Sequence, residues 1–465
     1  MIAQKVIAFL YFTMIGKFAG ISDTGNYFLA LSLVTSIGVL DDIGITSVVI
    51  RDVAKRPGDA ERWARTIVGI KLCTMPITIL LAWFLPTFFG YSDQIALLIR
   101  IAIVVMIADT LSLSFYGILR GLHVLSYESL GMFVGQTLTA LIGGTLVFSG
   151  HATLPLLIAA LICGSTWNMV FSITQVIRKT SWRSLLPSWE MGWNPLLVAL
   201  PFFLSGFFIK IYSYAEVHML EIWKGSEAVG AYAAAYKLTY AFQFLPLAFV
   251  AALYPSMSAN ADKPEVLKKT LLKSFWYMAL VGSPIVFGIW SLAPEIVIAF
   301  FDKDFTGAIL PLQYMIFGLF FIFFDFPLGS LLNATRHQNL KTSIMFGTMI
   351  VSVVVNALLI PSLGPLGAAI SALISLGGMV VATWIAARRF VPFTIMEAGR
   401  EVGGSMLAGL LMGLVVVFAK SLVPLWAAVA IGGLAYVVCA VLFRAVTFEQ
   451  ARGLFRLVRP IKPSV

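Results

Sequence analysis

Residues 309–341 read ILPLQYMIFGLFFIFFDFPLGSLLNATRHQNLK. The stretch 309–333 holds one charged side chain, Asp325. A helix rising about 1.5 Å per residue needs roughly 20 apolar residues to cross the hydrocarbon core of a bilayer, so this stretch is long enough to span it. Arg336 then marks a turn, and Lys341 opens the next apolar run. The same alternation predicts about fourteen spans along the chain. They fall at 1–20, 27–50, 65–89, 95–118, 128–149, 153–177, 195–220, 229–254, 273–293, 309–333, 341–361, 364–387, 402–420 and 424–444. With 60% apolar and 12% charged residues and a mean hydropathy of +0.94, the chain is far below the roughly 25% charge of a soluble globule. The expected class is an all-α polytopic membrane protein.

Lys and Arg fall in alternate gaps. One side carries 23 of them, from Arg51, Lys55, Arg56, Arg62 and Arg65 to Arg452, Arg456, Arg459 and Lys462, and also Arg336 and Lys341. The other side holds Lys224, Lys303 and Lys420. The positive-inside rule then puts both termini in the cytoplasm, in a cell inner membrane. The net charge of +10 is thus an orientation signal and does not point to nucleic acid. Lys17 late in the first run and the poor cleavage site Phe18-Ala19-Gly20 favour a retained first span over a signal peptide, although the lead before Lys5 is short and the true start can lie upstream. Trp63, Trp182, Trp189 and Trp193 near one set of span ends, and Trp83, Trp223, Trp290 and Trp426 near the other, read as interfacial anchors. Cys73, Cys163 and Cys439, with His123, His151, His218 and His337, share no metal or redox spacing. No GxxxxGK[ST] motif is present, so ATP hydrolysis is not expected of this chain.

The chain also resembles itself. Ser22-Asp-Thr-Gly-Asn-Tyr-Phe-Leu-Ala30 opens the second span and Ser226-Glu-Ala-Val-Gly-Ala-Tyr-Ala-Ala234 opens the eighth. Leu119-Arg-Gly-Leu-His123 closes the fourth span and Leu332-Asn-Ala-Thr-Arg-His337 closes the tenth. The offsets are 205 residues between Gly25 and Gly230, and 214 between His123 and His337. Six spans per copy is an even number, which predicts two copies of equal orientation about an axis along the membrane normal, with substrate between them. The expected divisions are 1–180, 181–390 and a remainder of two helices and a basic tail, 391–465.

Gly25-Asn26-Tyr27 with Asp42-Ile-Gly-Ile45 and Arg51, the turn Leu119-Arg-Gly121, Gly230-Ala-Tyr-Ala-Ala-Ala-Tyr-Lys237, and Asn356-Ala-Leu-Leu-Ile-Pro361 followed by Gly364-Pro-Leu-Gly-Ala-Ala369 together resemble the polysaccharide transporter, or oligosaccharide flippase, family of the MOP exporter superfamily. The resemblance runs over nearly the whole chain and rests on the order of loose motifs. It implies two six-helix lobes around a central cavity and two extra helices within 402–444. It also implies transfer of a polyprenyl-pyrophosphate-linked oligosaccharide to the outer leaflet by alternating access, alongside other polysaccharide assembly proteins and without a cofactor.

Charge inside the spans carries the residue-level argument, because a charged side chain at mid-bilayer costs about 2.5–3.5 kcal/mol on insertion scales and persists where a polar cavity or a partner receives it. Lys5 and Arg100 are near span ends, where snorkelling accounts for them, and Lys71 divides evenly between snorkelling and function. Lys17, Lys210 and Lys237 are deeper, on the spans the repeat pairs. With Arg51 they match, by helix, the basic residues that hold an anionic head group in the family. Lysines suit a pyrophosphate that must later be released, since an ammonium is a mobile point charge where a guanidinium pairs bidentately. The competing reading pairs these lysines with Glu216, Asp41, Asp42 or Asp109.

The acids Asp42, Asp109, Glu216 and Asp325 read as coupling sites for H⁺ or Na⁺, or as salt bridges and helix-end hydrogen-bond acceptors. Membrane potential is the other source of drive. Pro76, Pro201, Pro246, Pro284 and Pro327 lie within spans and allow bending. An ion-coupled multidrug exporter of the same superfamily would share the architecture but suits cations poorly with three deep lysines. A membrane enzyme would need a larger outer loop than 294–308, and a scaffold would tolerate neutralisation of the lysines.

Overall fold

The computed structural model describes residues 2–190, 192 and 194–446. Trp193 and the tail residues Arg452, Arg456, Arg459 and Lys462 lie outside the described residues. The described chain is all helical: α1 (Ile2–Asp42), α2 (Ile45–Lys55), α3 (Ala60–Phe88), α4 (Asp93–Gly121), α5 (Leu125–Phe148), α6 (Leu154–Lys179), α7 (Asn194–Lys224) and α8 (Ser226–Tyr240). It continues with α9 (Phe244–Ala259), α10 (Pro264–Ser291), α11 (Ala293–Phe300), α12 (Ile309–Ala334), α13 (Gln338–Leu363), α14 (Pro365–Ala387), α15 (Ile395–Ala419) and α16 (Leu425–Leu442). Among the described residues, thirteen segments are long and apolar enough to cross a membrane. The first, Ala3–Asp42, covers the first expected span and most of the second. Helical geometry is interrupted there at Gly20, with φ 80° and ψ 176°, so the expected number of crossings is recovered. Leu72, Phe84, Leu141, Leu358, Leu434 and Val437 are each at least 56% exposed, as the lipid face of a bundle requires.

Packing groups residues 1–241, 300–311 and 342–375 into one compact unit, and 242–299, 312–341 and the chain from Leu376 onward into another. The first unit contains a close helix crossing with local two-fold character. Gly225, between α7 and α8, has φ 79° and ψ 178°, the same backbone as Gly20 and 205 residues further on. This is also the separation of Gly25 and Gly230. A Cβ on Gly25 would strike the carbonyl of Ser226, and one on Gly230 would strike the carbonyl of Ile21. Ile21 and Ser226 are again 205 residues apart, so the contacts are reciprocal. Only the absence of a side chain at both positions lets α1 and α8 approach this closely.

A second pair of turns shows the same likeness with a corrected register. His123 has φ 61° and Arg336 has φ 65°. Val124 N–H donates to Leu119 C=O at 2.9 Å, and His337 N–H donates to Leu332 C=O at 2.7 Å. The structural match therefore pairs His123 with Arg336, one residue from the His–His pairing that the sequence suggested. The turn is set by where the left-handed residue falls and not by the side chain.

Two buried ion pairs hold helices of the separate units. In the first, Lys71 Nζ on α3 donates to Asp41 Oδ2 on α1 at 2.8 Å, and Thr74 Oγ1 donates to Asp41 Oδ1 at 2.5 Å. Asp41 is 1% exposed and Lys71 2%. In the second, Lys341 Nζ on α13 donates to Asp325 Oδ1 on α12 at 2.6 Å, and Thr383 Oγ1 on α14 donates to the same oxygen at 3.1 Å. Lys341 was expected in a cytoplasmic turn, but it sits in the first turns of α13 with its ammonium turned inward, 5% exposed. Trp63 likewise is no interfacial anchor: it is 4% exposed and packs with Ile45, Val48, Ile67 and Phe115.

The second unit closes on small residues. A Cβ on Gly409 of α15 would press on Ser283 and Phe287 of α10, and Gly413 faces Ser291 and Phe287. Ser291 Oγ donates to Gly413 C=O at 3.0 Å, and Tyr436 Oη on α16 donates to Leu280 C=O at 2.7 Å. Small residues and interhelical hydrogen bonds replace the hydrophobic drive that lipid removes.

Gly25→Ala and Gly230→Ala should each lower stability by about 1–3 kcal/mol through overpacking. Gly144→Ala, whose Cβ would meet nothing within 4 Å, should be neutral or stabilising by up to about 1 kcal/mol. Thermal unfolding in detergent separates the two outcomes. Lys71→Met should cost about 3–5 kcal/mol by leaving Asp41 buried without a counter-charge, and adding Asp41→Leu should recover most of that loss in the same assay.

Candidate functional site

Lys210 and Lys237, central in the sequence argument, come together with aromatic side chains of α1, α7 and α8, all within the first unit. Tyr232, Tyr236 and Tyr240 recur at four-residue spacing, which stacks them along one face of α8. Tyr236 and Tyr240 have ring centroids 4.4 Å apart, Tyr214 lies 6.2 Å from Tyr236, and Phe28 lies 5.5 Å from Tyr236. Lys237 Nζ sits 4.9 Å from the Phe12 ring and 5.4 Å from the Phe28 ring. Lys210 Nζ lies 5.3 Å from the ring of Tyr214, one turn along the same helix. The negative ring faces partly offset the loss of water around each ammonium, and they leave its N–H groups available.

No described carboxylate pairs with either lysine. The ion pairs of the spans go elsewhere: Asp41 to Lys71, Asp325 to Lys341, and Glu128 to Arg120. Glu216, 4% exposed, accepts a hydrogen bond at 2.8 Å from Tyr232 Oη, and its Oε2 has no hydrogen-bond partner among the described residues. The reading in which acids merely neutralise these lysines does not describe this arrangement.

Lys5, set aside on sequence as a residue near a span end, lies within electrostatic reach of both Lys210 and Lys237. The sequence does carry a signal: Lys5, Phe9 and Phe12 recur at helical spacing on α1, which puts Lys5 on the face that meets Lys237. The other expected ligands are not gathered here. Lys17 is exposed, three residues before the break at Gly20. Arg51 is exposed on α2 and pairs with Asp52 at 2.7 Å.

The remaining acids separate by role. Asp42 accepts from Thr46 Oγ1, bridging a break at Ile43 and Gly44, whose φ values are 45° and 71°. Asp325 is committed to Lys341. Asp109 has no cation partner among the described residues. It takes a hydrogen bond from Ser165 and faces a cavity of about 320 Å³. Gln4 of α1, Gln136 of α5 and Asn168 of α6 also line that cavity. Tyr11 of α1 donates to Leu157 C=O at 3.0 Å.

Comparison with known proteins agrees with this architecture. The family described as polysaccharide biosynthesis protein matches residues 1–261, and the MatE family matches residues 201–358. The probable low-salt glycan biosynthesis flippase Agl15 of Haloferax volcanii is 24% identical, over 97% of this chain and 96% of its own length. Among solved structures, the lipid II flippase MurJ in an inward closed conformation superposes with a TM-score of 0.78 at 15% identity, covering 97% of this chain and 98% of that one. An inward-facing multidrug resistance MATE family transporter of the MOP superfamily gives 0.69 at 15% identity, covering 84% of this chain and 95% of that one. The family match over more than half the length means that the chain belongs to the polysaccharide biosynthesis protein family, and its helical architecture is that of these solved structures.

Proposed function

We propose that this protein moves a polyprenyl-pyrophosphate-linked oligosaccharide from the cytoplasmic to the outer leaflet by alternating access, with Lys210 and Lys237 holding the pyrophosphate. The carrying observation is that these two half-buried ammonium groups have no described carboxylate partner, whereas the two fully buried lysines among the described residues, Lys71 and Lys341, each have one. An ammonium without a counter-charge in an apolar surround is ready for an anion. The names of Agl15 and MurJ, each a flippase, support the same reading. Lys5 adds a third positive charge, and Tyr214, Tyr236 and Tyr240 offer faces and hydroxyls to sugar.

The excess of basic residues in alternate loops supports cytoplasmic termini, and so a substrate loaded from the inside. Two negative charges moving outward across an inside-negative membrane gain about 4.6 kcal/mol per 100 mV. Asp109, facing a cavity lined by polar side chains and without a cation partner among the described residues, is the carboxylate best suited to an additional H⁺ or Na⁺ coupling step. Export of cationic drugs is disfavoured by three like charges around one site.

Reconstituted native protein should transfer a fluorescent polyprenyl-pyrophosphate oligosaccharide between leaflets. Lys210→Gln and Lys237→Gln should each lower the initial rate about tenfold or more, at unchanged unfolding temperature. A native protein that leaves this lipid in place and moves a cationic dye contradicts the proposal and favours drug export. Collapsing an imposed inside-negative potential should slow outward transfer. A rate indifferent to potential would mean that ion coupling supplies the drive.

A further inference from the structure

A second charged site is present in the first unit, apart from the lysine–aromatic cluster. The ends of α2, α3 and α7 enclose a pocket of about 570 Å³ with the segment before α7, a volume within the roughly 300–1,000 Å³ of small-molecule sites. Lys55, Arg56 and Arg62 line it, facing Asp52, Asp59 and Glu190. The acids are largely engaged from outside the pocket. Arg51 holds Asp52 at 2.7 Å, and Arg65 holds Glu190 at 3.4 Å, with Arg62 at 3.6 Å on the other oxygen. Across the group five cations meet three carboxylates, and neither Lys55 nor Arg56 has an ion-pair partner among the described residues. The floor is apolar, made by Val48, Val198 and the buried Trp63.

The neighbouring segment fixes the depth of this pocket. Trp182 is 65% exposed and Trp189 44%, with Leu185 and Leu186 exposed between them. Such a row belongs at the boundary of head groups and acyl chains. It is tied to α3, since Ser188 N–H donates to Arg65 C=O at 3.1 Å and Arg65 Nε donates to Leu186 C=O at 3.4 Å. The pocket therefore opens beside the level at which lipid phosphates lie, with Lys55 and Arg56 without ion-pair partners among the described residues and two of its three acids held by arginines outside its lining.

We infer that this pocket binds the phosphate of a lipid in the same leaflet, separately from the site at Lys210 and Lys237. The chemistry is shared by an anionic phospholipid and by a polyprenyl pyrophosphate. The inference needs only the membrane setting; it does not depend on the protein being a flippase. Asp59, the lining acid without a described cation partner, sets a limit on affinity by repelling the ligand.

The test uses full-length protein in phosphatidylcholine nanodiscs doped with phosphatidylglycerol or with polyprenyl pyrophosphate, and inorganic pyrophosphate as the free anion, reading retained ligand by native mass spectrometry. The polyprenyl pyrophosphate arm is run in a Lys210→Gln/Lys237→Gln background, so that residual binding reports the pocket. Saturable binding of either lipid should weaken about tenfold or more in Lys55→Gln/Arg56→Gln and tighten severalfold in Asp59→Asn, and the lipid that saturates identifies the source. Both substitutions are at exposed or half-exposed positions, and an unchanged unfolding temperature verifies the fold. The inference is overturned if neither lipid binds, if only inorganic pyrophosphate binds, or if lipid binding ignores Lys55, Arg56 and Asp59. Loss of transport in the native protein with pocket binding intact would remove the flippase reading and leave this one standing.

Discussion

Hydrocarbon supplies neither water nor counter-ions, so each charge that a spanning helix carries inward must meet an opposite charge, reach an aqueous space, or wait for a ligand. This chain uses the first solution for structure. Lys71 with Asp41, and Lys341 with Asp325, are enclosed and supplemented by threonine hydroxyls, each of which adds a hydrogen bond to the carboxylate. Helices close in chain order, α1 with α3 and α12 with α13 and α14, are thereby held in fixed register. Lys210 and Lys237 are arranged otherwise, with aromatic faces in place of carboxylates. The contrast between these two kinds of lysine gives the site its meaning.

The glycine crossing explains how that site is assembled. With Gly25 and Gly230 against each other's helices, α1 and α8 run close enough for Phe12 and Phe28 to flank Lys237. Gly20 and Gly225 break the helices just before the crossing with nearly identical backbone angles, so each half-repeat turns in the same way. Duplicated backbone geometry thus persists where side chains have diverged. Of the tyrosine ladder of α8, Tyr232 keeps a counterpart at the same offset in Tyr27 of α1, while Tyr236 and Tyr240 correspond to Leu31 and Thr35.

Much of the fold was legible because the bilayer imposes a length and a charge rule that need no tertiary information. Span positions and the central lysines followed from those two constraints. Details that depend on a distant partner did not follow. Lys341 looked like a loop residue because it comes soon after a turn, and only Asp325, a helix away, reveals that it points inward. Lys5 looked like a snorkelling residue because its depth along α1 is visible in sequence and its facing neighbours are not. The repeat was readable at Gly25 and Gly230 but shifted by one at His123, where backbone conformation rather than residue type is duplicated. Among the acids, sequence could name Asp42, Asp109, Glu216 and Asp325 but could not tell a committed carboxylate from a free one.

In the proposed function, unpaired lysines select a lipid by its phosphate charge. The most direct measurement compares equilibrium binding of a polyprenyl pyrophosphate with that of the uncharged polyprenol of equal length, in native protein and in Lys210→Gln/Lys237→Gln. The account predicts a strong preference for the pyrophosphate lipid in the native protein that falls sharply in the double variant. Equal binding of the two lipids by the native protein, or a preference that survives loss of both lysines, would contradict it.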